Sequence, residues 1–171
     1  AFYHVMNNNL PATCHAGEAY GPESIHMAIH SCGAMRIGHG TRLEDDPDLM
    51  AFVADHRIPL EVCLTSNVQT GVVDEPGDHP LRRYHEAGLR VCLNTDNTLF
   101  ADTDMARELR LTADTFEFTL LQLEDIILAG FKSAFVPETF ARHSVEAALA
   151  EFKRIRDEHG LDQLIAHGGP A

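Results

Sequence analysis

Apolar residues along this chain gather into four short runs, and each run stops at a polar tip. The tips read Thr13-Cys14-His15-Ala16-Gly17-Glu18, Arg36-Ile37-Gly38-His39-Gly40, Leu64-Thr65-Ser66-Asn67 and Leu93-Asn94-Thr95-Asp96-Asn97. Each run reads as a buried strand ending in a residue that can bind a metal or move a proton. Strand and helix alternate along the chain, the pattern of a parallel sheet with crossover helices. Parallel α/β barrels collect their catalytic groups in this way, at the C-terminal ends of successive strands.

The pattern predicts strands over residues 10–15, Ala34–Gly38, Leu60–Thr65 and Leu89–Asn94. Between them, Pro22 sits at a first helical position and a helix is expected over Glu23–Cys32. Asp46-Pro47 opens a second helix through His56, and His79-Pro80 a third that stops at Gly88. After Asp96 the strand signal ends. Helices are expected over Asp104–Phe116 and Thr119–Ser133, then an amphipathic one from Pro137 to His159, closed by Gly160. The tail His167–Ala171 is expected to fray. No repeat, low-complexity segment or internal domain boundary is visible.

A chain of 171 residues can bury a real core, yet a complete eight-stranded barrel takes about 250 residues. The formal net charge of -13 argues against general binding to nucleic acid or an anionic membrane. No apolar stretch is long enough to span a bilayer. No basic-then-apolar start suggests a signal peptide. The four cysteines, Cys14, Cys32, Cys63 and Cys92, form no C-x-x-C pair. They read as buried free thiols of a reducing compartment, so a cytoplasmic location is expected.

Taken singly, the polar tips are ambiguous. His15 and Glu18 place an imidazole and a carboxylate at one turn, suited to metal binding and proton transfer, or to a plain solvated turn. Ala16 and Gly17 are small enough for a flat ligand to approach the backbone. His39, between Gly38 and Gly40, is either a general base or hydroxide stabiliser, or a histidine in a glycine-rich turn. Asp96 is a site carboxylate or the N-cap of the helix that follows. His26, His30, His56, His85, His143 and His159 fall on expected helices, mostly solvated. His79 lies in a loop near the mouth of the expected site. Taken together, His, His and Asp on three independent strand ends are far more specific than any one of them.

That order resembles the C-terminal half of the adenosine deaminase family, of the amidohydrolase superfamily, with the closest likeness to bacterial members. The likeness runs from Leu10 to about Glu158. Ala34–Leu43 resembles the family's sixth strand and Glu61–Gly71 its seventh with its loop. The resemblance implies an α/β fold made of strands 5–8 and the terminal helices of a (β/α)₈ barrel. The whole chain, 1–171, would be the C-terminal half of a metal-dependent deaminase.

By the same resemblance, His15 and Asp96 are ligands of one zinc ion (Zn2+) per complete barrel. Glu18 gives a proton to purine N1, and His39 orients and helps deprotonate the water. Asp96 also fixes the attacking oxygen, while Gly17 and Asn97 lie against the substrate. The family's other ligands, a His-x-His pair on the first strand, have no counterpart in this chain. Asn97 stands where the commoner pattern has a second aspartate at purine N7, and its amide can still donate there.

The implied reaction is hydrolytic deamination of adenosine or 2'-deoxyadenosine to inosine and ammonia, in purine salvage. Another 6-aminopurine derivative, such as adenine or aminodeoxyfutalosine, and a non-catalytic half-barrel are the alternatives. A half-barrel has two open sheet edges. The N-terminal half in trans, or a second copy, is therefore the expected partner, beside a purine nucleoside substrate.

Overall fold

The computed structural model describes residues 1–161. Four strands, β1 (Thr13–Ala16), β2 (Arg36–His39), β3 (Leu60–Val62) and β4 (Val91–Leu93), form one parallel sheet in the order β1-β2-β3-β4. The register sets His15, Gly38, Glu61 and Cys92 level across it. Among the described residues both outer strands lack a further neighbour. This is the sheet of a partial (β/α)₈ barrel, as the sequence pattern predicts.

Nine α-helices surround the sheet among the described residues. They are α1 (Phe2–Asn7), α2 (Pro22–His30), α3 (Pro47–Asp55), α4 (Leu64–Gln69), α5 (Leu81–Glu86), α6 (Thr98–Ala101), α7 (Met105–Phe116), α8 (Leu120–Ser133) and α9 (Glu138–His159). Their starts follow from local chemistry. Pro22 and Pro47 occupy first-turn positions, and Asp46 accepts the Leu49 N–H at 3.0 Å. Asp104 accepts from Arg107 N at 2.8 Å, and Thr119 with Gln122 forms a capping box. The chain leaves α9 at Gly160 with a left-handed φ. The expected tail His167–Ala171 lies outside the described residues.

The core lies between the sheet and its helices. Ile25 of α2, Ile37, Leu60 and Val62 of the strands, Val53 of α3 and Leu81 of α5 are all fully buried. Tyr84 of α5 is buried with its hydroxyl 3.0 Å from the carbonyls of both Gly40 and Thr41, and it accepts the Glu44 N–H. Its ring fills the core while its oxygen satisfies the turn after β2. α8 packs on β4, and α9 is held to α8 by the Arg156–Glu124 ion pair. Among the described residues no helix is long and apolar enough to cross a membrane.

Local readings differ from the structure in several places: the second and fourth strands are Arg36–His39 and Val91–Leu93, and Cys14 and Cys32, expected to be buried, are only partly so. β1 starts at Thr13, because Leu10 is exposed chain. The run Leu60–Thr65 is a strand only to Val62, and Leu64–Asn67 turns into α4. Leu64 is fully buried there, and a short apolar run does not distinguish a buried strand from a buried helical turn. The short helix α1 carries no sequence signal that predicts it, while α6 follows the N-cap position read after the fourth strand, with Asn97 and not Asp96 as the cap.

Candidate active site

The strand ends bring three of the expected side chains together. Donor atoms of His15, Glu18 and His39 lie within 4.8 Å of one another. His39 Nε2 is 3.1 Å from His15 Nδ1 and 3.5 Å from Glu18 Oε2. Gly38 makes this possible, since a Cβ there would sit 3.1 Å from the His15 ring. His15 is exposed toward the open side, Glu18 is partly buried, and His39 is 1 % exposed.

Asp96 opens on the same cavity of about 210 Å³, together with His15, His39, Glu61 and Cys63. The alternative reading of Asp96 as a helix cap is settled by Asn97. Asn97 Oδ1 accepts the N–H groups of Leu99 and Phe100, both at 3.1 Å, and so caps α6. Asp96, at φ 56°, is turned instead toward the cavity, where Ser66 Oγ donates to its Oδ2 at 2.7 Å. Asn97 thereby spends its carbonyl oxygen on the helix.

Gly17 must be glycine. Its φ is +64°, and a Cβ would meet Ile25 Cδ1 at 2.4 Å. Its N–H donates to Ser24 Oγ at 2.8 Å and its carbonyl accepts from Arg42 N at 2.8 Å, which fixes the turn between His15 and Glu18.

Burial pushes the His39 pKa down, and His15 adds to the effect, while the carboxylates Glu18 and Asp96 oppose it. Burial also pushes the Cys63 thiol well above its usual range, helped by Asp96, so it is an inert wall of the cavity. Below the cavity, Arg36 pairs with Glu61 at 2.9 Å, and Thr13 Oγ1 donates to the same carboxylate at 2.6 Å. This ties β1, β2 and β3 together under the site.

Several residues of the site carry no role in the sequence reading. Asn67 Nδ2 lies 3.1 Å from His39 Nδ1, and Thr41 Oγ1 donates to Asn67 Oδ1 at 3.3 Å. His79, expected near the mouth, is buried behind the site, 3.5 Å from Thr41 Oγ1. Glu108 of α7 is fully buried and accepts from Thr65 N, Thr65 Oγ1 and Thr103 Oγ1. The one available signal for Glu108 is its place on an inward helical stripe with Thr112 and Phe116, at spacings of four. A separate hollow of about 680 Å³, at the opposite ends of the strands around Arg57, His85 and Arg90, shares no lining residue with the cavity of His15, His39 and Asp96.

Fold and side chains define part of a parallel α/β barrel with a nitrogen-and-carboxylate site at its C-terminal strand ends. The family description adenosine deaminase matches residues 1–151, and the chain belongs to that family. It is 43 % identical over 148 residues to the adenosine deaminase of Mycobacteroides abscessus, covering 80 % of this chain and 41 % of the relative. It is similar to the crystal structure of an adenine deaminase from Arthrobacter aurescens, with TM-score 0.85 and 25 % identity over 89 % of this chain and 46 % of the other. An amidohydrolase from Burkholderia ambifaria with bound zinc shares the fold, with TM-score 0.84 and 24 % identity over 92 % and 44 %. The chain thus spans less than half the length of these proteins.

Proposed function

We propose that this chain, residues 1–171, is the C-terminal half of a zinc-dependent deaminase barrel, contributing strands five to eight. The complete barrel hydrolyses adenosine or 2'-deoxyadenosine to inosine and ammonia. The observation that carries this reading is the convergence of His15, Glu18 and His39 within 4.8 Å at the ends of two neighbouring parallel strands. The four free thiols favour a reducing compartment, the cytoplasm.

The donor set fits zinc, which takes imidazole nitrogen and carboxylate oxygen in catalytic sites. His15 and Asp96 would hold one ion per barrel. Two further ligands would come from a His-x-His pair on the first strand of the half that completes the sheet, as the family resemblance implies. When bound, the ion supplies Lewis acidity that makes a water nucleophilic near neutral pH. Glu18 hands a proton to N1 of the purine, which leaves C6 open to attack. His39, held largely neutral by burial, fixes the water oxygen over the ring. Asp96, oriented by Ser66, fixes the same oxygen. Gly17 lets the flat ring approach the backbone, and the Asn97 amide donates to N7. Asp96 takes up the proton the water gives up as it adds at C6 and passes it to the amine. As the C6–OH becomes a carbonyl its proton returns to Glu18, the C–N bond breaks, and ammonia leaves.

The test is reconstitution with the completing half, followed by zinc analysis and adenosine turnover. Glu18→Gln is expected to keep zinc and purine binding and to lose about 100-fold or more in kcat. Turnover near that of the unsubstituted protein would refute the proton-donor role.

A further inference from the structure

We infer that His79 is a positioning residue: through Thr41 and Asn67 it sets the proton of His39 on Nε2, the nitrogen that faces the site. The inference rests on the reading of His39 as the residue that holds the water.

Four side chains form one dry chain of hydrogen bonds. His39, Thr41, Asn67 and His79 are each 3 % exposed or less. Buried polar groups of this kind must satisfy one another. The chain is anchored at a group that cannot change direction, since the backbone N–H of Leu81 points at His79 Nδ1 at 3.1 Å. A backbone N–H is a donor, so His79 Nδ1 is an acceptor. Burial holds the His79 pKa down at about 4, so the ring is neutral near pH 7 and its one proton sits on Nε2.

Direction then passes along the chain. His79 Nε2–H faces Thr41 Oγ1 at 3.5 Å. The Thr41 hydroxyl, free to turn, donates to Asn67 Oδ1 at 3.3 Å. That orients the amide and leaves Asn67 Nδ2 as the group facing His39 Nδ1 at 3.1 Å. His39 Nδ1 therefore accepts, and the proton of its neutral ring sits on Nε2. Nε2 lies 3.1 Å from His15 Nδ1 and 3.5 Å from Glu18 Oε2, inside the site.

The chemical consequence bears on how His39 works. A neutral imidazole with Nε2–H presents a donor to the water oxygen. It holds and aims that oxygen, and it does not remove a proton through the same nitrogen. On this inference His39 acts by orientation through a fixed N–H, where the family resemblance implies both orientation and assistance in deprotonating the water.

The experiment is a nitrogen-15 histidine spectrum of the zinc-loaded complete barrel at neutral pH, read for proton-bearing and bare ring nitrogens. The expected result for His39 is a protonated Nε2 and a bare Nδ1. A protonated Nδ1 overturns the inference. In Asn67→Asp the facing group can only accept, so the His39 proton moves to Nδ1 and kcat falls about 10- to 100-fold, with KM changed far less. Thr41→Val keeps the size, breaks the relay, and is expected to show both tautomers of His39. An unchanged single Nε2–H tautomer in either variant overturns the inference. The tautomer is read without turnover, so a barrel with His39 Nε2–H that deaminates no adenosine refutes the proposed reaction and supports the relay.

Discussion

Replacing Glu108 by alanine is predicted to destabilise the protein strongly, although this residue touches no substrate group. Its carboxylate is fully buried and accepts three hydrogen bonds: Thr65 N at 3.3 Å, Thr103 Oγ1 at 2.8 Å, and Thr65 Oγ1. The Thr65 N–H lies in the first turn of α4, whose N-cap, Cys63, makes no side-chain cap. Glu108 thus caps α4 from another helix. Removing it leaves the part-buried Thr65 N–H without its partner, which costs about 1–3 kcal/mol, and the two threonine hydroxyls lose their acceptor. Their rotation recovers part of the loss, so the net effect is about 3 kcal/mol. For a chain of this size that lowers Tm by roughly 6–12 °C. Glu108→Gln keeps the volume and one acceptor oxygen, and is expected to lose about half as much. The assay is urea unfolding of the two variants beside the unsubstituted protein. A loss below about 1 kcal/mol in Glu108→Ala would refute the capping argument.

Gly17→Ala is expected to cost about 2–4 kcal/mol, because it combines a left-handed φ of +64° with a Cβ 2.4 Å from Ile25 Cδ1; a melting temperature that does not move would show that the turn can relax. The buried His79 has a pKa depressed from 6.5 to about 4, so between these values the unfolded chain binds the extra proton. Its contribution is therefore complete above pH 6.5 and lost as pH falls to 4, about 3 kcal/mol in all. His79→Gln should flatten that part of the stability–pH curve, and an equal slope in both proteins would contradict it. Asp96→Ala is expected to lower both zinc content and kcat by about 10-fold or more in the complete barrel. Full zinc occupancy would remove Asp96 from the ligand set.

What the sequence makes legible here follows from how local the determinants are. α7, α8 and α9 begin and end where Asp104, Thr119 and Gly160 predict, because a cap acts within one turn of its own residue. His15, Glu18 and His39 are legible because parallel strands deliver their C-terminal ends to one face of the sheet. The role of Asn67 is set by partners 26 and 28 positions earlier in the chain, and that of Glu108 by Thr65, 43 positions away. Nothing in the local pattern distinguishes Asn67 from a solvated polar residue, and Glu108 is marked only by the inward stripe it shares with Thr112 and Phe116. The turn of Leu64–Asn67 into α4 is hidden for the same reason. The apolar run gives burial, while the helix start is stabilised from outside its own segment.

α4 is the element on which the site depends. His39 and Asp96 both occupy left-handed backbone conformations, at φ 66° and 56°, which cost a non-glycine residue about 1–3 kcal/mol each. Such strain persists where the surroundings over-determine it. In this chain the fixing groups are consecutive residues of one short helix: Ser66 donates to Asp96, and the Asn67 amide faces His39. A hydrogen bond to a carboxylate contributes about 1.5–3 kcal/mol, enough to offset the strain at Asp96. Both strained strand ends are thereby referred to one rigid body, whose own N-terminus Glu108 secures from α7. The spacing between the Asp96 carboxylate and the His39 imidazole is set by adjacent residues of a single helical turn, and no independent loop enters it. A site built in this way is pre-organised before any ligand arrives. It also follows that damage to α4 should reach Asp96 and His39 together.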